Sequence, residues 1–122
     1  MKTIVAGSRS FSESPKILVY AWVQEILYKN KITEIVSGTA RGIDRYGEEW
    51  AIEAGISIRR FKPDWDKQGK KAGYLRNAQM GEYADQLIAF YDGESKGTQH
   101  MIDLMNKLNK PVQVFTKKFE IK

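Results

Sequence analysis

Leu87-Ile88-Ala89-Phe90-Tyr91-Asp92-Gly93-Glu94-Ser95-Lys96-Gly97-Thr98 is the stretch that decides how this chain folds. Its five leading apolar residues predict a strand buried on both faces, as in a parallel sheet. The run breaks into a glycine-flanked polar loop and then enters a helical pattern. Gly93 and Gly97 permit tight turns and close approach of a ligand to the main chain. Ser95 or Thr98 can cap the helix that follows, whose first N–H groups point outward and favour an anion. Taken alone, the loop reads either as a phosphate or carboxylate seat built from backbone, or as an ordinary βα turn.

The rest of the chain repeats this grammar. Residues 3–7 form a first short strand ending on Gly7, and a polar turn follows through Phe11. Ser14-Pro15 supplies an N-cap and first helical residue, with Leu18, Ala21, Trp22 and Ile26 at helical spacing to about Asn30. A second strand near Glu34–Ser37 leads into Gly38-Thr39-Ala40-Arg41-Gly42. The next helix sets Ile43, Gly47, Trp50, Ala51 and Ala54 on one face and stops at Gly55. A third strand over Ser57–Phe61 opens into Pro63–Lys71, the longest polar stretch. A helix from about Ala72 to Ala84 precedes the central strand. Another runs through Met101, Ile102, Met105 and Leu108 until Pro111, and Val112–Phe115 is a fifth strand. The tail, Thr116–Lys122, reads as an edge strand or a frayed end.

Strict alternation of apolar strands and helices predicts a Rossmann-like three-layer α/β sandwich around a mostly parallel five-stranded sheet, one domain over residues 1–122. Right-handed crossovers then gather every βα loop at the carboxyl ends of the strands. The loops Ser8–Phe11, Gly38–Gly42, Pro63–Lys71 and Asp92–Gly97 are expected to border one crevice, with Asp44, Arg76 and Asn77 close by.

Composition narrows the chemistry. Among 122 residues there is no cysteine, which excludes disulfides and thiolate sites, and His100 is the one histidine, which excludes a histidine-cluster metal site. No apolar run approaches the ~20 residues of a membrane span, and the start enters a strand directly, so a cytoplasmic location is expected. A net charge of +5 and a pI near 9.4 suit an anionic partner: nucleotide, nucleic acid or phosphorylated metabolite. The first turn lacks G-x-G-x-x-G and the second strand ends on Ser37 rather than an acid, which argues against a standard NAD-dependent dehydrogenase. In Gly93–Thr98 the lysine precedes the second glycine and the spacing is short, so no P-loop is present. No cofactor is expected.

Ser37-Gly38-Thr39-Ala40-Arg41-Gly42-Ile43-Asp44 resembles the S-G-x-A-R-G-I-D signature of the DNA-processing protein A (Smf) family. With the Gly-x-Ser-x-Gly-Thr loop it resembles the SLOG superfamily, which joins that family to the Lonely Guy phosphoribohydrolases. Gly7-Ser8-Arg9, Pro63-Asp64-Trp65, Arg76-Asn77 and Asp92–Thr98, in this order and spacing, are most similar to the small stand-alone YspA-like SLOG proteins of bacteria and phages. The resemblance spans Thr3 to Phe115. It implies a Rossmann-like fold and binding of a nucleotide or nucleotide-derived molecule, and it makes a homodimer or larger homo-oligomer an expectation. Lonely Guy enzymes carry P-G-G-x-G-T-x-x-E with a catalytic glutamate, and here Met101 stands in that glutamate's place. Arg76 is followed by Asn77 rather than lysine. The phosphate-binding half of the motif is kept and the catalytic carboxylate is not. Asp92, Glu94 or Asp44 are the acids near enough to substitute.

The candidate ligand residues follow. Gly93, Ser95, Gly97 and Thr98 are assigned to phosphate through backbone N–H and hydroxyl groups. Gly7, Ser8 and Arg9 flank the switch point, where the arginine can make a bidentate phosphate contact. Gly38, Arg41 and Asp44 either meet ligand or, for Arg41 and Asp44, pair to brace their loop. Arg76, Asn77 and Asp92 border the crevice, and Trp65 either stacks on a base or packs its loop onto the domain. Three functions remain in view. The first is a module that senses or sequesters an ADP-ribose-like, NAD-like or cyclic nucleotide. The second is an N-glycosidic nucleotide hydrolase with a relocated acid. The third is a single-stranded nucleic-acid binder that uses Lys62, Trp65, Lys67, Lys70, Lys71 and Tyr74.

Overall fold

The computed structural model of the chain describes residues 1–119. Five strands, β1 (Lys2–Gly7), β2 (Glu34–Ser37), β3 (Ser57–Arg60), β4 (Gln86–Phe90) and β5 (Val112–Phe115), pair in the order β3-β2-β1-β4-β5. Every pairing is parallel, and β1 and β4 run in register from Thr3 opposite Gln86 to Gly7 opposite Phe90. The helices are α1 (Lys16–Tyr28), α2 (Ile43–Ala54), a single turn α3 (Trp65–Gln68), α4 (Ala72–Tyr83) and α5 (Lys96–Lys107).

Successive side chains of a strand face opposite ways, so each central strand feeds two cores. Val5, Ile35, Ile88 and Phe90 pack against Val19, Trp22 and Trp50 of α1 and α2. Ile4, Val36, Leu87 and Ala89 pack against Met80 of α4 and Met101 and Met105 of α5. The result is the expected three-layer Rossmann-like sandwich, with an all-parallel sheet. Strand β4 is buried throughout, taking in Leu87–Phe90 of the apolar run and Gln86 ahead of it, while Tyr91 lies past its end and is partly exposed. None of the helices among the described residues is long and apolar enough to cross a membrane.

Two local expectations are corrected, and one alternative for the tail is removed. Helix α1 begins one residue later than predicted, with Pro15 as its N-cap, and its buried face is Val19, Trp22, Val23 and Leu27. Leu18 is exposed and Ala21 faces solvent. Apolar residues run all round this helix, so periodicity alone does not fix its rotation. The polar stretch after β3 is not a plain loop. Asp64 accepts the Lys67 N–H at 3.2 Å and caps α3, and a 3-10 turn over Gly69–Lys71 joins it to α4. Residues 116–119 form no strand, and Phe119 packs edge-on against Phe11 and tilted against Trp22. The remainder of the predicted tail lies outside the described residues.

Candidate functional site

The strand order reverses between β1 and β4, since β2 and β3 extend to one side and β5 to the other. Loops leaving β1 and β4 therefore part company there and open a crevice at the carboxyl edge. The two loops are stitched at its base. Ser8 N–H donates to Phe90 O at 3.0 Å, and Asp92 N–H donates to Ser8 Oγ at 3.0 Å. Ser10 Oγ donates to Asp92 Oδ2 at 2.8 Å, while Asp92 Oδ1 accepts the N–H groups of Glu94 (2.8 Å) and Ser95 (2.9 Å). Partial burial opposes the Asp92 charge. The hydrogen bonds from Glu94, Ser10, Ser95 and Ser8 outweigh it and hold the carboxyl down at about 2. Asp92 thus remains ionised and organises the loop, with Gly93 turning at φ +88° beside it. Ser95 caps α5, its Oγ accepting the Thr98 N–H at 3.4 Å and donating to Thr98 Oγ1 at 3.2 Å. The remaining N–H groups of that first turn face outward without helical partners.

The second loop supplies the opposite wall. Arg76 of α4 reaches across and donates from its guanidinium to the Gly38 carbonyl. Glycine leaves room for this contact, because a Cβ on residue 38 would lie 2.7 Å from that nitrogen and would push the guanidinium aside. Asp44, in the first turn of α2, is buried and accepts the Ala40 N–H at 3.1 Å. Burial pushes its carboxyl up to about 6, against the pull of the Ala40 N–H and the Arg76 charge. Arg76 is itself shifted down by burial, which Asp44 opposes and the Arg9 charge reinforces. Between these groups Thr39 holds φ +65°, a costly conformation for a β-branched residue. Its N–H is anchored on Ser37 Oγ at 3.1 Å, which donates to Glu48 Oε2 at 2.7 Å, and Arg60 clasps the other oxygen of Glu48 at 2.7 Å.

Helices α4 and α5 are joined beneath the crevice by Asn77. Its Oδ1 accepts from Arg76 Nε at 3.1 Å, and its Nδ2 meets Gly97 O at 3.4 Å and His100 Nδ1 at 3.1 Å. The crevice has a volume of about 360 Å³.

Most of the residues singled out in the sequence meet there. Gly7, Arg9, Asp44, Arg76, Asn77, Asp92, Ser95, Gly97 and Thr98 all line the cavity. Gly38 and Trp65 line an adjoining cleft of about 250 Å³ that shares Arg9 and Arg76 with it. Ser8, Arg41 and Gly93 stand in the wall of neither. Ser8 is fully buried and its hydroxyl is committed to the loop stitch. Arg41 is exposed, and the expected Arg41–Asp44 brace is replaced by separate contacts: Arg76 holds the loop at the Gly38 carbonyl and Asp44 holds it at the Ala40 N–H, with the Arg76 charge acting on Asp44 from nearby. Gly7 has a packing duty as well, since a Cβ there would sit 2.4 Å from the Ile43 side chain. Sequence reasoning missed Ala6, Met80 and Met101 as wall residues, and placed Ser10 and Ala40 at the crevice only as members of their loops. Ala6 at the end of β1 carried a positional signal, whereas Met80 and Met101 sit inside α4 and α5 and read as core. Among the described residues no cluster of three or more acidic or histidine side chains is arranged to hold a metal ion.

A sequence model of the family described as "YspA, cpYpsA-related SLOG family" matches residues 1–68. The Gene 61 protein of Mycobacterium phage D29 is 32% identical over 118 residues, covering 91% of this chain and 93% of that protein. Among solved structures, DNA processing protein A from Streptococcus pneumoniae superposes with a TM-score of 0.63 over 99% of this chain, at 18% identity. This chain spans about half, 52%, of that protein, and the likeness is one of fold. The signature loop after β2, the Gly-x-Ser-x-Gly-Thr turn into α5 and the matched residues agree: the chain belongs to the YspA, cpYpsA-related SLOG family.

Proposed function

We propose that this protein binds a nucleotide-derived small molecule in the crevice between β1 and β4, as a sensing or sequestering module. The observation that carries the reading is the meeting of Arg9, Arg76 and the α5 N-terminus around one cavity at the switch point. Arginines and free N–H groups pair with phosphate oxygens, while Asp44 offers a partner to a ribose hydroxyl or a base edge. A volume of about 360 Å³ lies at the small end of the ~300–1,000 Å³ typical of ligand sites. Family membership supports a nucleotide- or nucleic-acid-related role in general. ADP-ribose-like, NAD-like and cyclic nucleotides are the candidate ligands.

Calorimetry against ADP-ribose, NAD and cyclic nucleotides tests the reading, with saturable one-to-one binding and no turnover expected. Arg9→Ala is expected to weaken binding about tenfold or more, the scale of one charge-assisted contact. Gly97→Val points into open crevice space, since a Cβ there has nothing from the rest of the protein within 4 Å. A loss of affinity in that variant therefore reports the ligand rather than the fold. Wild-type affinity in both variants would show the site to be misassigned.

Asp44 favours a second reading, N-glycosidic cleavage with a relocated acid. It lines the crevice with a carboxyl pushed up to about 6, near where a proton-transfer group works best at neutral pH. Release of free base from a nucleoside monophosphate, abolished by Asp44→Asn, would support it. Intact substrate at high protein concentration would remove it.

A further inference from the structure

A cleft of about 210 Å³ opens off the main crevice and shares Arg9, Arg76 and Gly97 with it. Its own walls are Trp65, Lys70 and Tyr74, over Gly73. The two aromatics come from different elements and are held independently. Trp65 begins α3, whose Asp64 cap fixes the turn, and its ring edge lies over Gly73, where a Cβ would stand 3.5 Å from it. Tyr74 meets the His100 ring edge-on at 4.6 Å between centroids, and His100 is held by Asn77 at 3.1 Å. Both remain about half in water, Trp65 at 52% and Tyr74 at 47% exposure. Large aromatics that do not close a core, set beside three cations at the mouth of the crevice, match what a stacked base and its phosphate require.

We propose that the Trp65–Tyr74 cleft is a second base subsite, so that the ligand is a dinucleotide-type molecule: two nucleosides bridged by phosphate. This deepens the reading of the main crevice and rests on it. The bridging phosphates lie between Arg9, Arg76 and the α5 N-terminus, one nucleoside enters the deep cavity, and the other stacks between Trp65 and Tyr74. Lys70 faces the bridge from the outer side.

ADP and diadenosine diphosphate form the matched pair of probes, since they carry the same two phosphates and differ by one adenosine. The dinucleotide has the smaller negative charge, so an advantage for it is not electrostatic. The expected result is about tenfold tighter binding of diadenosine diphosphate, the worth of one stacked base. Trp65→Ala and Tyr74→Ala each remove most of that advantage and leave ADP affinity unchanged, while Trp65→Phe keeps it. Equal wild-type affinities, or a Trp65→Ala loss that falls on both probes alike, would overturn the subsite and leave the main crevice standing. Failure of both probes to bind, or indifference of both to Arg9→Ala, would remove the crevice reading and this one with it. Tighter, Trp65-dependent binding of a deoxyadenosine hexamer would overturn the dinucleotide assignment in favour of a strand.

Discussion

Asp44 spends stability at the crevice. Its folded carboxyl stands near 6 against an ordinary 3.8, because burial penalises the charge more than Ala40 and Arg76 support it. Below pH 4 the group is neutral in both states and costs nothing. Between about pH 4 and 6 the folded form holds a proton that the unfolded chain has released, so stability falls as pH rises, by about 3 kcal/mol at most. Asp44→Asn is therefore expected to be about 1–3 kcal/mol more stable than wild type at pH 8, with the difference vanishing toward pH 4. Urea titrations at both pH values check this. An unchanged pH profile would place the titrating group elsewhere. At this scale the sequence named the right kinds of residue but not their partners. Asp44 was legible from its signature, yet Arg41 stood nearer in the chain than Arg76. Only the crossing from β3 to α4 brings Arg76 to Gly38. Ser8 likewise read as a ligand hydroxyl, because nothing in its own neighbourhood shows that the Asp92 N–H will claim it.

Among elements, α4 depends on a residue from beyond the end of α5. Lys110 Nζ donates to the carbonyls of Gly81 (2.7 Å), Glu82 (3.1 Å) and Ala84 (2.8 Å), closing the α4 C-terminus with a cation that the helix dipole favours. Lys110→Met is expected to cost about 1–3 kcal/mol by leaving those carbonyls partly unsatisfied. The measurement is a lowered urea midpoint at unchanged slope, with ligand affinity retained. A neutral effect would mean that water replaces the ammonium without penalty. Start and stop signals were readable where chemistry is local: Ser95 caps α5 and Gly55 ends α2 with φ +70°. They failed where it is not. The four residues of α3 are too few to show a period, and α1 is apolar on too many sides to announce its buried face.

Over the whole molecule, protection is expected to radiate from the middle of the sheet. Strand β4 is paired on both sides and buried on both faces, whereas β3 is an edge strand with mostly exposed side chains. Native-state hydrogen exchange should find the β4 amides opening only with global unfolding and those of β3 earlier. Comparable rates in the two strands would contradict a core centred on β1 and β4. The layer order and the gathering of four loops on one edge were legible because parallel strands with right-handed crossovers leave few arrangements. The subdivision of that edge into a deep cavity and side clefts was not, since it depends on where Arg76 lies across the second loop.

The three tryptophans divide the molecule optically. Trp22 and Trp50 are sealed at 7% and 2% exposure, while Trp65 stands half in water at the crevice rim. Indole emission from the first two reports only the intact interior and shifts to longer wavelength when the sandwich melts. The third contributes an already red component that acrylamide quenches in the native state. One emission spectrum thus carries two separable signals, folding at its blue side and the surroundings of the crevice rim at its red side, and the protein needs no added dye to report either.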